Sequence, residues 1–198
     1  MNNNNRVMRK LRLQVQMSVD GCIAGPNGEM DWMVGLLDDE LIKYEYKLHE
    51  PVDTILLGRK MTDVFISYWS DVMNKPDDPW YVFAKKMIET PKVVFTKTLD
   101  KSDWPNTDIA TGDFRDEITK LKNLDGGDDI VYGGASFDSS LIREKKLIDE
   151  FYLFVNPIVM GSGKTIFRDL KEIQKLTLID SKVFDCSLVL LHYEVKKN

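Results

Sequence analysis

One stretch, residues 129–157 (DIVYGGASFDSSLIREKKLIDEFYLFVNP), narrows the choice of fold more than any other. A short apolar run, Ile130-Val131-Tyr132, stops at Gly133-Gly134. Apolar Phe137, Leu141, Ile142 and Leu147 follow, and a second apolar run fills 151–155. The simplest reading is strand, glycine turn, amphipathic helix, strand. Paired glycines let a backbone come close to a ligand, and the helix start behind them offers free N–H groups and a positive dipole end to a phosphate. An ordinary strand-to-helix turn explains the pair equally well, so the rest of the chain has to decide.

Residues 1–6, with four consecutive asparagines, read as a disordered polar tail ahead of one domain over 7–198. Residues 10–18, KLRLQVQMS, alternate polar residues with Leu11, Leu13, Val15 and Met17, the period of a strand with one buried face. A long loop over 19–32 follows, rich in glycine; such a loop is functional or disordered, and Ile23 and Trp32 suggest one that folds over something. Residues 38–49 read as a helix capped by Asp38 or Asp39, with Leu41, Ile42, Tyr44 or Glu45, and Leu48 at helical spacing; Pro51 ends it. A second strand, 53–57, runs into Gly58-Arg59-Lys60-Met61-Thr62 and a short helix containing Val64 and Phe65. Residues 70–79 read as loop, 80–88 as a short helix and 92–95 as a strand ending in Thr96-Lys97-Thr98. A strand at 108–111 and a helix at 113–124 form a further unit. A turn-rich loop over 157–167 leads to a closing hairpin, 176–184 and 187–195, that turns near Asp185-Cys186. Strands separated by helices predict an α/β fold with a mostly parallel sheet and an antiparallel edge.

Composition removes several function classes. A chain of 198 residues that is 43% hydrophobic suits one α/β domain, and a net charge of −5 argues against a general nucleic-acid binder. No apolar run approaches the roughly 20 residues of a membrane span, and the N-terminus lacks the apolar core of a signal peptide. The expectation is a soluble, cytoplasmic protein with no membrane partner. Two cysteines, Cys22 and Cys186, and two histidines, His49 and His192, suggest no zinc site or disulfide framework. Both histidines read as surface or packing residues, and no serine or cysteine sits in a nucleophile motif.

Cations at a helix N-terminus are unfavourable by about 0.3–1 kcal/mol each unless an anion compensates them, which turns Arg59 and Lys60 behind Gly58 toward a phosphate. Lys97, between the hydroxyls of Thr96 and Thr98, has the donors for a phosphate monoester; spacing alone also fits an exposed lysine. Ligands of open parallel sheets collect beyond the carboxyl ends of the strands, where Gly58, Lys97 and Gly133 all fall. Residues 161–165, GSGKT, imitate the end of a phosphate-binding loop, but the required upstream glycine is Ile158, so they read as a glycine turn. In the long loop Asp31 and Asp20 are the candidate acids, and Trp32 could stack on a flat substrate. Asp20, beside Gly21, fits turn chemistry equally well.

Together MSVDGCIAGPNGEMDW, LLGRKMT, VVFTKT, VYGGASF and LIDEFYLFVNPIVMGSG resemble the dihydrofolate reductase-like family, and within it the reductase domain of the bifunctional riboflavin-biosynthesis deaminase-reductase. The resemblance implies a three-layer α/β/α fold and NADPH as cofactor. It implies that Ile23 and Ala24 line the nicotinamide, that Gly58, Arg59, Lys60 and Met61 meet the pyrophosphate, and that Thr96 and Lys97 meet the adenosine 2′-phosphate. Gly133, Gly134, Ala135, Ser136 and Phe137 complete the dinucleotide site. Asp31, Trp32 and Asp20 are left as the catalytic candidates, and a homodimer is expected. The implied activity is hydride transfer to a small heterocyclic substrate such as 5-amino-6-(5-phosphoribosylamino)uracil. The alternatives are a dihydrofolate or pterin reductase and a non-catalytic NADP-binding sensor or partner module. The spacing of Asp38 and Asp39 from Gly58 does not match the acid of true dihydrofolate reductases. The zinc signature of a deaminase domain is absent from the sequence.

Overall fold

A computed structural model describes residues 9–33, 38–144, 146–168 and 170–196; the tail expected at 1–6 lies outside them. The chain runs β1 (Leu11–Ser18), α1 (Asp39–His49), β2 (Val52–Gly58), α2 (Arg59–Met73), α3 (Tyr81–Glu89), β3 (Lys92–Phe95) and β4 (Thr107–Ala110). It continues with α4 (Phe114–Lys122), β5 (Asp128–Val131), α5 (Ala135–Arg143), β6 (Glu150–Asn156), β7 (Leu176–Val183) and β8 (Val189–Val195). The sheet has the order β4-β3-β2-β5-β1-β6-β8-β7. All pairs from β4 to β6 are parallel, and β8 and β7 add the antiparallel edge. No helix among the described residues is long and apolar enough to cross a membrane.

Three layers follow from side-chain alternation. On β2, Ile55 and Leu57 pack with Leu41, Phe65 and Phe83 from α1, α2 and α3, whereas Leu56 points the other way, toward Ile118 of α4 and Leu141 of α5. On β6, Tyr152 and Phe154 join the first cluster and Phe151 and Leu153 the second. Buried apolar area of this kind contributes roughly 25 cal/mol per Å², so both faces of the central strands are held.

Two expectations need correction. β1 has no solvent face, because it lies between β5 and β6 with helices on both sides. Its apolar residues face α4 and α5, and its polar residues lie beneath α1, where Gln14 is buried. The helix after Gly58 is not short: it runs through residues 70–73, expected as loop, since Phe65, Trp69 and Val72 continue one apolar stripe. Conversely α5 ends at Arg143, and Leu147 packs from the following turn.

Candidate active site

Parallel pairing brings the strand ends together. Gly58 pairs with Phe95, and Leu56 with Val131, so the carboxyl ends of β3, β2 and β5 sit side by side. A methyl group placed on Gly58 would fall 2.6 Å from the Gly133 carbonyl oxygen, and one on Gly133 would overlap the Phe137 ring. Gly134 has φ 79°, a left-handed conformation natural to glycine, and its open side faces Met61. Phe95, Phe114 and Phe137 brace this corner with centroids 5.1–5.3 Å apart.

Helices α2 and α5 both start here, on Gly58 and Gly134, with no side chain capping their first N–H groups. By contrast Asp38 and Asp113 cap α1 and α4. Uncapped N–H groups at a dipole's positive end favour an anion. Arg59 has found one already: it bonds Asp63 at 2.8 Å and lies over the Trp104 ring at 4.9 Å. Its pairing weakens the argument from uncompensated charge at Arg59, whereas Lys60 and Lys97 are exposed and without an ion-pair partner among the described residues. Thr96 is buried, its hydroxyl 3.2 Å from that of Thr98. Ala135 and Ser136 form the first turn of α5.

Beside this junction opens a cavity of about 500 Å³. Met61, Val64, Phe65, Tyr68 and Trp69 of α2, with Trp80, Phe83 and Tyr132, make its wall largely aromatic. Its polar lining is Gln14 and Gln16 of β1, Glu45 of α1, Asn156 of β6, Asp138 of α5 and Asp31. The Gln14 amide donates to Glu45 at 2.9 Å, and Asn156 donates to Gln16 at 2.9 Å. Glu45 Oε2, Gln14 Oε1, Trp80 Nε1 and Asp138 Oδ1 are buried without a hydrogen-bond partner. Burial disfavours the carboxylate of Glu45 and pushes it up to about 8, against a smaller opposing pull from Gln14. Burial likewise carries Asp138 to about 8, opposed in part by the Gly133 and Gly134 N–H groups. Both therefore hold protons near neutrality.

His49 stands behind Glu45. Its Nδ1 lies 2.7 Å from the Glu45 carbonyl and must donate, so Nε2 accepts from the Tyr132 hydroxyl. Burial lowers His49 to about 4, which keeps the ring neutral in this arrangement. The expected packing role fits: His49 fixes Tyr132 on the cavity wall. His192, also expected at the surface or in packing, stacks on Tyr152 with centroids 4.1 Å apart.

The loop candidates separate. Ile23 lines the cavity, while Ala24 bridges to Lys164 and helps tie the long loop to residues 161–165, where Gly161 takes a left-handed φ of 73°. Asp31 opens a 3₁₀ turn, Asp31–Met33, and reaches the cavity with an exposed side chain. Trp32 is half-buried, outside the lining, with its Nε1 unpartnered. Asp20 faces away: it accepts from the Ser18 hydroxyl and from the Met160 and Gly161 N–H groups. These bonds pull its carboxyl down to about 2, so it stays ionised and holds loops together. Among the described residues no cluster of His, Cys, Asp and Glu is arranged for a metal ion.

Reasoning from sequence missed Gln14, Glu45, Tyr132 and Asp138. Glu45 sits on the apolar stripe of α1, the one signal that could have found it.

The model of the RibD C-terminal domain matches residues 9–190. The chain belongs to this family. It is 33% identical over 197 residues to the uncharacterised protein YyaP of Bacillus subtilis, covering 96% of this chain and 97% of the relative. A crystal structure described as a riboflavin biosynthesis protein from Shewanella sp. PV-4 superposes with TM-score 0.76 at 23% identity, over 95% of this chain and 99% of that one. Dihydrofolate reductase from Enterococcus faecalis, complexed with NADP(H), gives TM-score 0.58 at 15% identity, over 96% and 100%. At those identities the structures establish a dihydrofolate reductase-like fold, and family membership supports a reductase-type role.

Proposed function

We propose that the protein is a cytoplasmic NADPH-dependent reductase, acting on a C=N or ring-opened ribosyl carbon of a small heterocyclic substrate. The observation that carries this reading is the junction at Gly58 and Gly133-Gly134: two uncapped helix starts, pressed together where only glycines fit, beside a cavity with a proton-holding acid. These residues fit a dinucleotide. In this reading the N–H groups of α2, with Gly58, Arg59, Lys60 and Met61, hold the pyrophosphate, and Thr96 and Lys97 hold the 2′-phosphate. Ile23 and Ala24 line the nicotinamide, and Gly133, Gly134, Ala135, Ser136 and Phe137 complete the dinucleotide site. When bound, NADPH supplies the hydride.

The chain supplies position and a proton. Reduction of a C=N bond takes a proton at nitrogen as hydride arrives at carbon, and Glu45 keeps a proton at the cavity wall at neutral pH. Asp31 stands at the cavity mouth to position the substrate, with Trp32 behind it. Asp20, already ionised and engaged, has no part in proton transfer. The aromatic wall suits a flat ring, and the resemblance points to a pyrimidine of the 5-amino-6-(5-phosphoribosylamino)uracil type.

Lys97→Ala is expected to weaken NADPH about tenfold or more while leaving NADH nearly unchanged, since only NADPH carries the 2′-phosphate; titration of both cofactors checks it. Equal losses would place Lys97 elsewhere. Steady NADPH consumption with pyrimidine substrates separates a reductase from a non-catalytic NADP-binding module. A homodimer is part of the same reading, supported by exposed Leu178, Ile179 and Val183 on the edge strand β7. Sedimentation of the wild type as a dimer and of Val183→Lys as a monomer is expected; a monomeric wild type contradicts it.

A further inference from the structure

Residues 96–106 leave the carboxyl end of β3 and return to the start of β4, carrying Thr96, Lys97 and Thr98 at their near end. Their far end is pinned to α3, where the Asn106 amide donates to the Glu89 carbonyl at 3.2 Å. Between these ends the loop meets α2 through Trp104. The indole N–H donates to Asp63 Oδ1 at 3.1 Å, and Arg59 donates to Asp63 Oδ2 at 2.8 Å. The Arg59 guanidinium closes the triangle by lying over the Trp104 ring, 4.9 Å from its centroid. Among the described residues no other hydrogen bond or ion pair joins this loop to α2.

Taken singly, each contact is weak. Arg59 and Asp63 are open to solvent, and an exposed ion pair four residues apart on a helix contributes little. The three together hold one another: each carboxylate oxygen takes one partner, and a planar guanidinium stacks on an indole face. Their place gives them a role. The first turn of α2 carries the N–H groups proposed for the pyrophosphate, and residues 96–98 carry the donors proposed for the 2′-phosphate. Two anions of one ligand are met together only when those elements stand at a fixed separation, and fixing it beforehand removes an ordering cost from binding. With its guanidinium engaged, Arg59 meets a phosphate through its backbone N–H and leaves the side-chain charge to Lys60 and Lys97.

We infer that Trp104 and Asp63 are positioning residues for cofactor choice: through Arg59 they clip the loop carrying Lys97 to α2, and so set a preference for a 2′-phosphorylated dinucleotide. This rests on the NADPH reading and adds to it residues that need not touch the cofactor.

The test is calorimetric titration of NADPH and NADH into the wild type, Trp104→Ala and Asp63→Ala, with the unfolding midpoint of each free protein recorded. Trp104→Ala is expected to weaken NADPH about tenfold and NADH less than twofold. Adenine is common to both, so a ring that stacked on adenine would cost both alike, and equal losses overturn the inference. Asp63→Ala is the sharper variant, because Asp63 is exposed and its truncation opens no cavity in the core. It also removes a negative charge near a proposed phosphate, so charge alone predicts tighter NADPH. The clip predicts NADPH about fivefold weaker with NADH unchanged. Tighter or unchanged NADPH overturns the inference, even where Trp104→Ala does not fold. If the wild type does not prefer NADPH to NADH, the cofactor reading fails and the inference falls with it; a preference kept in full by both variants removes the inference alone.

Discussion

Glu45 holds a proton because α1 carries it under the helix layer, onto the polar face of β1, where ionisation has little solvent to support it. The consequence for stability has a definite sign. An unfolded glutamate releases its proton near 4.5 and the folded one near 8, so between those values the folded state binds more protons. The stabilisation is complete below 4.5 and is lost as pH rises toward 8. His49, lowered to about 4 from 6.5, acts oppositely: its contribution grows as pH rises from 4 to 6.5. Glu45→Gln keeps the hydrogen-bonding shape without the titration. In urea unfolding at pH 5 and pH 8, the wild type is expected to lose stability relative to Glu45→Gln at the higher pH. A constant difference would show that Glu45 is ionised throughout. From sequence, Glu45 was visible only as a polar residue on an apolar stripe, which a half-exposed helix face also explains. What makes it a site residue is the burial of β1, a tertiary fact.

At the scale of elements, the length of α2 decides what the cavity is. Its first turn meets the strand ends, and its later turns supply Phe65, Tyr68 and Trp69 to the wall. The polar, proline-bearing run at 70–79 hides that continuation, because Pro76 stops the helix only after Val72 has docked. β1 misleads in a related way. Period-two alternation ordinarily marks a strand with one wet face, yet here the polar residues become a buried floor because a parallel sheet covers both faces. A polar stripe on an interior parallel strand is a departure from core logic of the kind found at functional sites. The glycine junctions were legible because glycine at a strand end restricts the backbone locally. Gly58→Ala tests that reading: with Cβ 2.6 Å from the Gly133 carbonyl, β2 and β5 must move apart. Its unfolding midpoint is expected to fall by several degrees and its NADPH affinity by at least tenfold. An alanine variant with wild-type affinity would show that the close approach is packing alone.

Across the whole molecule, the order β4-β3-β2-β5-β1-β6-β8-β7 gathers residues distant in the chain onto one edge of the sheet. Alternating strands and helices made the parallel sheet and its closing hairpin readable, and the Gly58, Thr96 and Gly133 ends followed from the rule that parallel strands present their carboxyl ends together. Neither composition nor local spacing encodes which polar side chains meet across layers, so Gln14, Glu45, Tyr132 and Asp138 emerged only with the fold. The central claim is that the joined strand ends bind NADPH through its 2′-phosphate. Thermal unfolding with NADPH and with NADH tests it most directly. A ligand at about 100 times its dissociation constant stabilises by roughly 2.7 kcal/mol, or about 5–10 °C for a chain of this size. A midpoint raised that far by NADPH and only weakly by NADH is the result expected; an unmoved midpoint with both, at millimolar concentrations, would contradict the account.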